Sequence, residues 1–90
     1  MKQNYMASDQ KITVDDFLVL LDDVFLEPEG TITIDLKRDE IPGWDSLGIL
    51  SLMAEMDEKF DILLDANVIG GFESVADIVS ILRQNGALLE

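Results

Sequence analysis

Apolar residues return at intervals of three and four early in the chain: Val14, Phe17, Leu18, Leu21, Val24 and Phe25. That spacing lines them along one stripe of an amphipathic helix. Asp15, Asp16, Asp22 and Asp23 fall on the other side. Thr13 stands ahead of the stripe as an N-cap, and Asp16 three positions later approximates a capping box. Pro28 and Gly30 are expected to close the element. The period then shortens to two in "TITIDL", where β-branched and apolar residues alternate as they would in a strand. A strand with no partner elsewhere in the chain is not stable by itself. Residues 30–43 are therefore expected to form a long ordered loop that tucks Ile32, Ile34 and Leu36 against the helices and ends at Pro42-Gly43.

Helical spacing resumes from about Ser46 to Phe60, with Asp45 or Ser46 as the cap. Ile49, Leu52, Met53, Met56 and Phe60 form its core stripe. Leu47, Leu50 and Ala54 form a second apolar row that the stripe does not include. A surface helix of a small domain needs one buried face, so a second row implies a partner that covers it. Asp65 then caps a short helical turn that Gly70-Gly71 breaks. Ser74 and Asp77 approximate another capping box. Val75, Ile78, Val79, Ile81 and Leu82 carry the stripe of a last helix, which Asn85-Gly86 stops. The pattern predicts an all-α fold: a small four-helix bundle of three main helices and one short one, with a long loop between the first two main helices. The expected layout is a flexible N-terminal arm at 1–11, one domain at 12–84 and a C-terminal tail at 85–90.

Composition narrows what such a bundle does. Ninety residues make one domain, and a hydrophobic fraction of 48% is enough for a core. The chain has no cysteine and no histidine, so disulfides, thiolate metal sites and the commonest acid-base group are all missing. An EF-hand loop started at Asp61 would need glycine at its sixth position and glutamate at its twelfth, where Ala66 and Phe72 stand. No dedicated metal site and no catalytic residue are expected. The formal net charge is −13, spread as ten acids and four bases over residues 1–44 and nine acids and two bases over residues 45–90. Such a field repels nucleic acid and anionic membrane and attracts partners with basic patches. The polar start "MKQNYMASDQK" has no apolar signal core, and no stretch approaches the ~20 apolar residues of a membrane span. A cytoplasmic, monomeric protein is expected.

One turn is left to explain. "IPGWDSLGIL" places Ser46 behind a proline, a glycine, the chain's one tryptophan and a carboxylate. As a nucleophile Ser46 lacks a histidine base, and "WDSLG" is not a nucleophile elbow. As an acceptor it is better placed, because a helix N-terminus favours a phosphate ester.

"GWDSLGILSLMAEMDEKFDILL" resembles the attachment region of acyl carrier and peptidyl carrier proteins, whose Asp-Ser-Leu opens the second helix. The resemblance runs from about residue 12 to 84 and includes "FESVADIVSIL" as the final helix. It implies a non-catalytic carrier with a covalent 4′-phosphopantetheine arm, derived from coenzyme A, on Ser46. Asp45 would help position the hydroxyl or the metal-bound coenzyme A in the modifying enzyme. Leu47, Leu50 and Ala54 match the family's docking row, and Asp57 and Glu58 match acids that meet basic residues on partners. The partners implied are a phosphopantetheinyl transferase and acyl-loading ligase, synthase or transferase enzymes with basic docking patches. Gly48 and Ser51 stand where acids are frequent, and Trp44 where a small residue is common. These departures point from fatty-acid housekeeping towards a specialised pathway such as polyketide, peptide, lipid or cell-wall modification. The alternative is an acidic helical adaptor that binds a basic partner and is never modified.

Overall fold

A computed structural model describes residues 11–90, so residues 1–10 of the expected arm lie outside it. In order, the chain forms β1 (Ile12–Thr13), α1 (Val14–Val24), a 3-10 turn (Arg38–Glu40), α2 (Ser46–Phe60), α3 (Ala66–Gly70), α4 (Val75–Gln84) and β2 (Leu88–Leu89). The four-helix bundle expected from the periodicity is the observed architecture.

Each helix begins where a short oxygen-bearing side chain meets an orphan amide. Thr13 accepts from the Asp16 amide at 3.1 Å, and Asp65 accepts from the Asn67 amide at 2.7 Å. At α4 the Asp77 carboxylate reaches back to the amides of Glu73 and Ser74 at 2.8 and 3.2 Å. The core gathers the predicted stripes. Phe17 and Leu21 of α1, Leu52 and Met56 of α2, Ile69 of α3, and Val75, Ile78, Val79 and Leu82 of α4 are completely buried. Phe17 meets Phe60 edge to face, with ring centroids 6.2 Å apart.

Three features depart from the expectation. α1 ends at Val24, ahead of Pro28, because Leu26 turns the chain with a left-handed φ of 60°. The Glu27 amide then donates to the Asp22 carbonyl at 2.7 Å, which closes the helix end. Asp22 is not on the solvent side; it is 3% exposed. Its carboxylate accepts from the amides of Gly30 and Ile32 at 2.8 and 2.7 Å, and so ties the start of the loop to α1. Finally, β1 and β2 pair in parallel, Ile12 beside Leu88 and Thr13 beside Leu89. Segment 85–90 brings Ala87 and Leu88 into the core, and Arg83 of α4 bonds Glu90 at 3.0 and 3.1 Å. That bond holds the Glu90 carboxyl below its usual range.

The loop between α1 and α2 is ordered by apolar burial, as its pattern predicts. Ile32 and Ile41 are buried, and Ile34 and Leu36 pack half-buried against the core. Its "TITIDL" run finds no strand partner among the described residues. A single bridge, Lys37 to Ser74, joins the loop to the start of α4.

Candidate functional site

The N-terminus of α2 is built by close approach of three backbone segments. A Cβ on Gly43 would overlap the carbonyl oxygen of Phe25, and a Cβ on Gly48 would overlap that of Gly43. Both glycines are therefore required for α2 to start against the end of α1. Trp44 completes the join: its ring stacks on Phe25 at 5.2 Å with an interplanar angle of 11°. The Arg38 guanidinium lies 5.7 Å from the Trp44 ring centroid. Arg38 also donates to the Gly70 and Phe72 carbonyls at 3.2 and 3.5 Å, which links the loop to the end of α3.

Of the two candidate caps, Asp45 takes the role. Its Oδ1 accepts from the Gly48 amide at 2.9 Å, and Ser46 is the first residue of the helix proper. Ser46 is exposed, and its hydroxyl is not committed to the cap. The first turn carries no acidic side chain, so the amide dipoles there face solvent with only the Asp45 carboxylate beside them.

The second apolar row is on the surface. Leu47 is 75% exposed, Leu50 is 61% exposed, and Ala54 is exposed with them. Asp57 and Glu58 continue that side of α2 in solvent. The core stripe runs opposite, with Leu52, Met56 and Phe60 buried and Ile49 and Met53 half-buried. A groove of about 350 Å³ separates the end of α1 from the start of α2, and Asp45, Leu47 and Ser51 line it. Sequence reasoning missed Leu26, which lines the same groove. An exposed leucine in a loop has no periodic signal to mark it.

Among the described residues there is no grouping of three or more acids with metal-ligand geometry, and no helix is long and apolar enough to cross a membrane.

No protein-family model and no solved structure matches the chain. A curated protein does: the acyl carrier protein of Onion yellows phytoplasma (strain OY-M) is 36% identical over 56 residues. That match covers 62% of this chain and 74% of the relative.

Proposed function

The chain belongs to the acyl carrier protein family, and from that premise we propose that Ser46 is the site of a covalent 4′-phosphopantetheine arm. The arm, when bound, supplies a terminal thiol that holds an acyl or aminoacyl group as a thioester. The protein's own part is to present, position and dock.

The observation that carries the reading is the exposed Ser46 hydroxyl at the first position of α2, left free because Asp45 performs the cap. The group fits this position. A phosphodiester on Ser46 would lie against the unpartnered amides of the first turn, where negative charge is favoured. In the attachment step Ser46 Oγ bonds to the phosphorus of the pantetheine phosphate in coenzyme A. The P–O bond to adenosine 3′,5′-diphosphate breaks, and the hydroxyl proton passes to a base of the transferase. Asp45 is held by the Gly48 amide through Oδ1, and its carboxylate would help position the Ser46 hydroxyl or the metal-bound coenzyme A in the modifying enzyme.

Leu47, Leu50 and Ala54 present an apolar strip to partner enzymes, and Asp57 and Glu58 present charge to basic residues around it. The depletion of charge at the centre of such a strip and the charge at its rim match the anatomy of protein interfaces. The acidic balance of the chain steers such partners toward it. Gly48 and Ser51 leave the first half of α2 without acids, which favours a specialised biosynthetic pathway over bulk fatty-acid synthesis.

The test is intact mass after incubation with coenzyme A, magnesium and a broad-specificity phosphopantetheinyl transferase. The expected result is a gain of one phosphopantetheine on the wild-type chain and none on Ser46→Ala. A folded wild-type chain left unmodified by this enzyme and by the transferases of its own genome would establish the unmodified adaptor instead.

A further inference from the structure

Leu26 is unfavourable for the isolated domain in two ways. It occupies the position after the α1 C-cap Phe25 with φ at 60°, where its Cβ is crowded by the backbone and glycine is the usual occupant. It is also 89% exposed, so its side chain gains nothing from the core. Strain held at an exposed apolar residue points to use by something outside the fold.

The surroundings of Leu26 say what that is. Leu26 and Leu47 are the exposed apolar walls of the groove between α1 and α2. Gly43 and Gly48 contribute only backbone to it. Its charged residues are Asp23, Asp45 and Glu55, with Glu55 paired to Lys59 at 3.3 Å, and no basic side chain lines it. Asp45 and Leu47 flank Ser46 in the chain, so an enzyme that reaches the Ser46 hydroxyl from solvent also covers this groove.

Resting on the attachment reading of Ser46, we propose that this groove seats an apolar side chain from the basic face of the transferase that modifies the chain, and that Leu26 determines specificity in that docking. The footprint thus turns from α2 onto the end of α1. Asp23 and Asp45 meet the partner's cations at the groove edge, and Leu26 and Leu47 close on its apolar side chain.

The experiment measures kcat and KM for modification by the transferase found active on the wild-type chain, together with the Tm of each variant. Leu26→Gly relieves the left-handed strain, so its Tm is expected to equal or exceed that of the wild type. Its KM is expected to rise by about fivefold or more, with kcat unchanged, as for other truncated interface anchors. Leu26→Gln keeps the strain and removes the apolar surface, and it should raise KM likewise. Val19→Gln, at an exposed apolar position of α1 outside the groove, should leave both constants unchanged. Wild-type modification with equal KM for both Leu26 variants overturns this proposal alone. Failure of every transferase to modify the wild type removes the attachment reading and this proposal together.

Discussion

Gly48 is a poor residue for the first turn of a helix, costing up to ~1 kcal/mol against alanine where the backbone is free. Here the backbone is not free. The Phe25 ring and the Gly43 carbonyl occupy the space a side chain would need, and Gly43 is itself pressed against Phe25. Gly48→Ala is therefore expected to lose about 1–3 kcal/mol despite the better propensity, as overpacked sites do. Thermal unfolding should show Tm lower by roughly 4–24 °C for a chain of this size. An unchanged Tm would mean that the α1–α2 junction yields easily. The sequence shows a glycine where acids are frequent; the atoms that exclude a side chain there come from segments the sequence does not place together. The same holds in reverse for Asp22, whose helical phase placed it in solvent. Two loop amides claim its carboxylate because Leu26 turns the chain back over it.

At the scale of elements, α2 has two apolar faces, and the periodicity separates the buried one from the exposed one. Leu52, Met56 and Phe60 go inward, while Leu47 and Leu50 go outward. The loop before α2 is ordered, as its alternating pattern predicts, with Ile32 and Ile41 buried. What the pattern did not contain was Arg38, a cation in a loop, as the link between Trp44 and the end of α3. Arg38→Ala should leave the fold intact at a cost of about 1 kcal/mol, the typical net value of a lost hydrogen bond. Hydrogen exchange should quicken in residues 66–72, and the emission of Trp44, the single tryptophan, should shift. Faster exchange confined to other helices would show that α3 is held by its core residue Ile69 alone.

For the molecule as a whole, the two chain ends of the described region meet. The parallel pairing of Ile12 with Leu88 brings Ala87 and Leu88 under the start of α1. A chain ending at Asn85 should lose about 2–5 kcal/mol of stability, the range for removing a buried leucine from a core. Urea unfolding compared with the full chain measures this directly. Full stability in the shortened chain would show that 12–84 is a sufficient domain. The pairing escaped sequence reasoning because each strand has only two residues, too few to display a period.

By itself the sequence determined the number and type of helices, where most of them start, and the apolar row that α2 does not bury. These follow from local periodicity and from short-range hydrogen bonding, which a linear pattern contains in full. It also singled out Asp45-Ser46 as a helix start, since cap chemistry is local. Tertiary structure alone decided which of the two residues caps, leaving Ser46 with the free hydroxyl. It decided too that Asp22 is buried, that Gly43 and Gly48 admit no side chain, and that Leu26 stands beside Leu47 across a groove. Each of these depends on the exact path of the backbone, which brings Phe25 against Gly43, Leu26 beside Leu47 and the loop amides onto Asp22. Hydrophobic spacing carries no record of that path.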